Sequence, residues 1–158
     1  MAVRDDLRRG QFIDTYIGEI IVATEADLRE RNAPFDKASY MFSLDKFAEE
    51  QGIDGSDCYV VDGEFMGGPT RFINHSCDPN CGIYTVSYDK YDEKIYELAF
   101  FAMEDVPKGT ELTFDYMDAD DEEEEGQRDD THTAEDAHSG RKVPCNCGTS
   151  RCRKYLWV

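Results

Sequence analysis

Three thiols lie close together near the C-terminus, and their spacing constrains this part of the chain more than any other feature does. Cys145, Cys147 and Cys152 fall within eight residues, and Gly148 permits the tight turn that would aim all three at one ion. A structural Zn²⁺ site is tetrahedral and takes four nitrogen or sulfur ligands. The segment therefore predicts a zinc site to which a distant residue contributes the fourth ligand.

The fourth ligand must come from outside this segment. The candidates are two cysteines and two histidines: Cys77, Cys81, His75 and His138. If Cys77 or Cys81 completes the site, the ion would fasten the tail to the loop at 67–81, and metal binding would be a folding event for the tail. The remaining cysteine, Cys58, begins a strand-like run and is predicted to be a core thiol.

The composition predicts a reducing compartment and a basic partner. The 158 residues include 35 acidic and 17 basic side chains, for a formal net charge of −18. This balance disfavours binding to nucleic-acid phosphates, so we expect no direct sequence-specific nucleic-acid binding. No window approaches the roughly 18 apolar residues of a membrane span, so we expect no membrane association. The charged start MAVRDDLRRG is unlike a signal peptide, so we expect the cysteines to lie in a reducing compartment. In such a chain, closely spaced cysteines indicate metal binding before disulfides.

Short runs rich in β-branched and aromatic residues predict a mostly β fold. They lie at 11–22 with a kink at Gly18, 39–45, 58–63, 82–88, 94–102 and 111–116. One helix is predicted over about 25–32, capped by Thr24 and ended before Pro34. The stretch 67–81 follows no simple period and is dense in Gly, Pro, Asn, His and Cys, which is typical of a functional loop.

The composition changes abruptly after the last strand. Residues 118–140 are acidic and almost free of aliphatic side chains, so they cannot bury enough apolar surface to offset the entropy of ordering. We therefore divide the chain into a β domain at 1–117, a disordered acidic insert at 118–140 and a small zinc module at 141–158.

Several motifs together resemble one family. RFINHSCDPN (71–80), ELTFDY (111–116) and the Cys-x-Cys-x4-Cys tail ending in Leu156-Trp157 look like the SET-domain protein lysine methyltransferases, and the tail resembles their post-SET module. YIGEII (16–21), YMFSLD (40–45) and VDGEFMGGPT (61–70) are most similar to the fungal branch of the suppressor-of-variegation type, which methylates lysine 9 of histone H3.

The resemblance implies a fold, a cofactor and a partner. The fold is a set of small curved sheets in which the Asn-His loop and the final strand form a pseudoknot, an exception to the usual unknotted topology. S-adenosylmethionine (SAM) would be the methyl donor, one structural Zn²⁺ would hold the tail, and the histone H3 tail within the nucleosome would be the partner. We accordingly expect the protein in the nucleus, on the chromosome, and expect a trimethyl-lysine product.

The resemblance also assigns roles to individual residues. It implies catalytic roles for three aromatic residues: Tyr116, Tyr16 and Phe114. It implies that six residues bind the cofactor or close the channel beside it: Tyr40, Arg71, Asn74, His75, Asn146 and Trp157. It implies that four thiols hold the zinc, with Cys77 preferred to Cys81: Cys77, Cys145, Cys147 and Cys152.

The match departs from the family pattern at the start of the chain. The family carries a Gly-aromatic-Gly stretch before a Val-Arg pair, whereas only Met1-Ala2 precede Val3-Arg4 here. We therefore expect the start of the SET domain and the preceding Cys-rich domain to be missing. Two alternatives follow: a catalytically inactive chromatin-binding module that holds a basic tail, and a methyltransferase acting on a non-histone lysine.

Overall fold

Short strands make up most of the regular structure. The computed structural model describes residues 1–34, 39–48, 50, 52–54, 57–88, 94–117 and 142–157, without the side chain of Trp157. The strands are β1 (Phe12–Thr15), β2 (Glu19–Val22), β3 (Met41–Leu44), β4 (Tyr59–Asp62), β5 (Asn74–His75), β6 (Cys81–Val86), β7 (Glu97–Ala102), β8 (Thr113–Phe114), β9 (Lys142–Pro144) and β10 (Tyr155–Trp157). The predicted mostly β class is confirmed, and each predicted run contains an observed strand.

The strands form four small sheets rather than one large one. Two of them have three antiparallel strands, in the orders β2-β4-β3 and β1-β7-β6. β9 and β10 form a hairpin in the tail, and β5 pairs with β8 in parallel. The bend between β1 and β2 falls at the predicted Gly18 kink, where an added Cβ would lie 2.5 Å from the carbonyl oxygen of Asp62. The glycine is required there because the chain passes against that carbonyl.

The helix α1 (Ala23–Asn32) begins earlier than the sequence predicts. β2 continues straight into it, so the extended residue Val22 occupies the cap position and no side chain caps the first turn. The prediction of Thr24 as the cap is therefore wrong, because strand pairing rather than capping sets the start. The end is as predicted: Ala33 is extended, immediately before Pro34.

Ion pairs and a small apolar cluster hold α1 to its sheet. Ala26 is the buried residue of the helix. Arg29 donates from one guanidinium nitrogen to Asp62 Oδ2 and to Glu19 Oε2, both at 2.8 Å, and pairs with Glu25 at 3.0 Å. The Asp62 side chain is 1% exposed, so this guanidinium neutralises a buried carboxylate.

The main core lies between the sheets and reaches the predicted site. Its most enclosed large side chains are Phe100, Ile73, Leu112 and Val106. Tyr16 and Phe114 belong to the same cluster. Cys58 is buried, which confirms its prediction as a core thiol.

The parallel pair β5–β8 joins the loop at 67–81 to the last strand before the acidic stretch. This is the contact on which the predicted pseudoknot depends. Asn80 reinforces it, because its Nδ2 donates to the Glu111 carbonyl at 2.8 Å and its Oδ1 accepts from the Thr113 N–H at 2.9 Å. The Asn80 carbonyl also accepts from the Met103 N–H. One buried amide therefore ties the loop to two other segments.

One predicted segment lies outside this description: the acidic insert 118–140 is not among the described residues. In the part of the chain that is described, no helix has the length and apolar character needed to cross a membrane.

Asn80→Ala should lower the free energy of unfolding by about 2 kcal/mol, because it leaves a buried N–H and a buried carbonyl without partners. Urea denaturation measures the change. Asn32→Ala, at the exposed end of α1, is the matched control and should shift stability by less than about 0.5 kcal/mol. Equal effects at the two positions would contradict the bridging role of Asn80.

Candidate functional site

The three residues predicted to be catalytic lie in one aromatic group. The ring centroids of Phe114 and Tyr116 are 4.6 Å apart, and those of Tyr16 and Phe42 are also 4.6 Å apart. Phe42 contacts Phe114 at 5.9 Å and so joins the two pairs. Tyr16 comes from the β1–β2 bend, Phe42 from β3, and Phe114 and Tyr116 from the end of β8. The group therefore depends on three elements that are far apart in sequence.

Both tyrosine hydroxyls donate to backbone carbonyls. The Tyr16 hydroxyl donates to the Tyr40 oxygen at 2.7 Å, and the Tyr116 hydroxyl donates to the Ile73 oxygen at 2.8 Å. Burial, aided by the nearby Asp62 carboxylate, raises the pKa of Tyr16, and burial raises the pKa of Tyr116. Both phenols are neutral at physiological pH, and each oxygen keeps its lone pairs for another donor.

Gly63 is a site residue that the sequence analysis did not single out. A Cβ at this position would lie 2.6 Å from the Tyr16 hydroxyl oxygen. The Gly63 N–H donates to the same Tyr40 carbonyl that accepts from Tyr16. The absence of a side chain makes room for the hydroxyl, and the turn-forming pair Asp62-Gly63 at the end of β4 was the available signal.

Arg71 fits an anionic group. Its Nη1 donates to the carbonyl oxygen of Gly63, at 2.8 Å, and to that of Glu64. Its guanidinium carbon lies over the rings of Tyr40 and Phe72, 5.5 and 4.6 Å from their centroids. The buried Nε has no hydrogen-bond partner within the described residues. A buried cation with an unused donor suits a carboxylate such as that of SAM.

Asn74 and His75 hold the loop against its neighbours. Asn74 Nδ2 donates to Glu111 Oε1 at 2.7 Å. His75 Nδ1 accepts from the Tyr116 N–H at 3.1 Å, and its Nε2 lies 3.2 Å from Cys77 Sγ. Burial lowers the pKa of His75 and so favours the neutral ring. Both ring nitrogens therefore contact atoms of the chain itself.

Four thiols converge as a metal-binding group. They lie within 4.8 Å of one another and are Cys77, Cys145, Cys147 and Cys152. The two sulfurs of Cys77 and Cys145 are 3.7 Å apart, and a tetrahedron with Zn–S bonds of about 2.3 Å has S···S edges of about 3.8 Å. The donor set and its spacing fit zinc.

Cys81 does not join the thiol group. It is 1% exposed in the core, where its thiol donates to Asn80 Oδ1 and burial raises its pKa to about 11. Of the four candidates for the fourth ligand, the structure thus brings Cys77 to the tail thiols, and His138 lies outside the described residues.

The thiols differ in acidity. The hydroxyl of Thr149, 3.3 Å from the sulfur, lowers the pKa of Cys147 to about 5, with help from backbone N–H groups. Burial raises the pKa of Cys145 to about 12. Cysteines ligate metals as thiolates, so zinc binding to this group would release protons.

Ion pairs also attach the tail to the β domain. Arg153 pairs with Asp115, between Phe114 and Tyr116, and its backbone N–H lies 3.4 Å from Cys77 Sγ. Arg151 pairs with Asp78 at 3.4 Å. Opposite charges therefore meet on both sides of the thiol group.

Two tail residues and Tyr40 are the remaining predicted site residues. Asn146 is exposed between two of the thiols. The backbone of Trp157 pairs with Lys142 in the tail hairpin. Tyr40 is half-buried; its carbonyl accepts from the Tyr16 hydroxyl, and its ring lies under the Arg71 guanidinium.

Comparison with known proteins gives a consistent result. The family model of the SET domain matches residues 1–117. The histone-lysine N-methyltransferase, H3 lysine-9 specific dim-5 of Neurospora crassa is 45% identical over 161 residues, covering 96% of this chain and 46% of that protein. The H3 lysine-9 specific KMT1 of Fusarium mangiferae is 45% identical over 156 residues, covering 96% and 43%. This chain spans less than half the length of these relatives.

A solved structure agrees with the sequence matches. The Neurospora SET domain protein DIM-5, a histone lysine methyltransferase, superposes with a TM-score of 0.69 at 47% identity. The match covers 75% of this chain and 47% of that one.

Elemental analysis should find one zinc ion per chain, and Cys152→Ser should lose it, because three thiolates leave the tetrahedron incomplete. Cys58→Ser, the same substitution at a cysteine outside the thiol group, should keep the ion. Equal zinc contents in the two variants would count against the four-thiolate site.

Proposed function

Because this chain belongs to the SET-domain family, we propose that it is a protein-lysine N-methyltransferase that methylates lysine 9 of histone H3. The relatives named above are H3 lysine-9 specific. The observation that carries the proposal is the aromatic group with its two tyrosine hydroxyls. This arrangement suits a neutral amine held for methyl transfer.

The aromatic group would prepare the substrate lysine. A free lysine has a pKa near 10.4 and must lose its proton before its nitrogen can attack. An apolar channel disfavours the charged form, so the walls formed by Tyr16, Phe42 and Phe114 would favour the neutral amine. No strong general base is then required, and most of the rate enhancement comes from alignment.

The two hydroxyls would act as hydrogen-bond acceptors. Each proton is committed to a carbonyl, of Tyr40 for Tyr16 and of Ile73 for Tyr116, so each oxygen presents lone pairs instead. An acceptor can orient an amine N–H or stabilise the positive charge beside the transferring methyl group. We assign Tyr116 as the acceptor nearest the transferring methyl group and Tyr16 as the second acceptor.

SAM, when bound, supplies the electrophilic methyl group. The Arg71 Nε is available for its carboxylate. Asn74, Tyr40, Asn146 and the backbone of His75 would line the rest of the cofactor site. Trp157 would close the lysine channel beside it. Bound zinc would hold the tail that carries Asn146 and Trp157 in place.

The β2-β4-β3 sheet offers a place for the substrate peptide. β3 pairs with β4 along one side and stands at the edge of that sheet. An extended peptide could add there as a further strand, with main-chain hydrogen bonds giving affinity. The net charge of −18 attracts a tail rich in lysine and arginine and supports a histone substrate in chromatin, and hence a nuclear, chromosomal location.

Radiolabelled methyl transfer to a histone H3 peptide should be observed with the zinc-loaded chain, and Tyr116→Phe should lower kcat by about 100-fold, because it removes the acceptor that aligns the amine. Tyr88→Phe is the matched control, since that hydroxyl is exposed and contacts Glu97. Peptide binding without transfer by either protein would favour the silent chromatin-binding module. Transfer to other lysine peptides but not to histone H3 would favour a non-histone substrate.

The product is proposed to reach trimethyl-lysine. Phe114 is buried against Phe100, Phe42 and Tyr116 and has no hydroxyl that could hold a water molecule in the channel. The space that such a water would fill remains available to a methylated amine.

Phe114→Tyr should shift the products toward mono- and dimethyl-lysine, because the added hydroxyl can hold a water where a bulkier amine would fit. Mass spectrometry of the H3 peptide at matched turnover reads out the methylation state. Unchanged trimethylation in the variant would contradict the role assigned to Phe114.

A further inference from the structure

We propose that His75 is a positioning residue whose imidazole joins the zinc-binding thiolate of Cys77 to the backbone of Tyr116. The catalytic role of Tyr116 rests on the proposed function. The contacts of His75 with Cys77 and Tyr116 do not depend on it. The family resemblance implied that His75 binds the cofactor. Its side chain is not available for that role, because both ring nitrogens already contact atoms of the chain.

The ring is enclosed and bonded on both edges. The side chain of His75 is 5% exposed. Its Nδ1 is 3.1 Å from the Tyr116 amide nitrogen and its Nε2 is 3.2 Å from Cys77 Sγ. The ring also packs edge-on against the Tyr116 ring, with centroids 5.4 Å apart.

One tautomer satisfies both contacts. A backbone N–H can only donate, so Nδ1 must be the unprotonated nitrogen that accepts from Tyr116. The ring proton then belongs to Nε2, which points it at Cys77 Sγ. The nearby Asp115 carboxylate lies 3.6 Å from Nδ1, but it accepts from the Met117 N–H and pairs with Arg153.

The consequence is that the thiol group and the catalytic tyrosine share one support. Tyr116 is held at two points by a short stretch of the loop: its amide by His75 and its hydroxyl by the Ile73 carbonyl. Cys77 follows two residues later. A hydrogen bond from the imidazole stabilises thiolate charge, as groups around metal ligands commonly do, and loss of such a group typically weakens metal binding 10- to 100-fold.

Two variants test the contacts of the two ring nitrogens separately. His75→Asn keeps an amide near the Nδ1 position and can still accept from Tyr116, but it cannot reach Cys77. His75→Gln places its amide near the Nε2 position and can donate to Cys77, but it leaves the Tyr116 N–H without an acceptor. Each variant thus controls for the other, and both are tested in the full chain loaded with zinc.

Three readouts are needed. Zinc transfer to a chromophoric chelator should be about 10- to 100-fold faster for His75→Asn and within about threefold of the wild type for His75→Gln. Hydrogen exchange at the Tyr116 amide should be about tenfold faster for His75→Gln and near the wild-type rate for His75→Asn. Methyl transfer should show kcat lowered by about tenfold or more, with KM for the peptide little changed, for His75→Gln.

Equal zinc release from the two variants, or equal exchange at Tyr116, would overturn the proposal. If the wild type transfers no methyl group, the proposed function fails while the first two readouts still decide the connection. If a variant does not fold, ¹⁵N NMR of the wild-type ring decides instead: Nε2 should carry the proton and Nδ1 should not, and the opposite tautomer would refute the connection.

Discussion

The parallel pairing of β5 with β8 is the interaction on which the rest of the site depends. It sets Asn74 opposite Thr113 and His75 opposite Phe114, and the Ser76 N–H extends it to the Phe114 carbonyl. Without it, Phe114 and the residues after it would have no fixed relation to the loop that carries Arg71 and Cys77. The pair is only two residues long in each strand, so side chains must supply what the backbone cannot. Asn80 does so on one side and His75 on the other.

Seven of the ten strands and the end of the helix could be predicted, because they follow from local rules: β-branched and aromatic runs and a proline stop. The strands β5, β9 and β10 were not predicted, because they lie in the irregular loop and in the tail, where no such run occurs. The start of α1 could not be predicted, because the pairing of Val22 with Tyr59 carries β2 up to the helix and leaves no turn for Thr24 to cap. Local patterns do not show which strand a residue will pair with across more than 30 positions.

The candidate site could likewise be predicted only in part from the sequence. Three tail thiols were evident from their spacing, but the choice between Cys77 and Cys81 depends on where the chain enters β6, which turns Cys81 into the core. Resemblance to the family pointed to Cys77, whereas spacing alone left both open. Gly63 was not found, because its importance comes from the Tyr16 hydroxyl that fills the space of its missing side chain. The Asp62-Gly63 pair marks a turn, but the local pattern does not show that a distant side chain requires the glycine.

Ion pairs explain how an acidic domain holds its basic C-terminal tail. Arg151 and Arg153 use two carboxylates, Asp78 and Asp115, that flank the thiol group, and Arg29 neutralises the buried Asp62. These pairs are local, and the exposed ones are weak individually because solvent screens them. They bring the tail close, whereas a bound zinc ion would set the tail's geometry through bonds of fixed length and angle. Because Cys77 lies in the loop that also holds Tyr116, ordering the metal site would order the aromatic group as well.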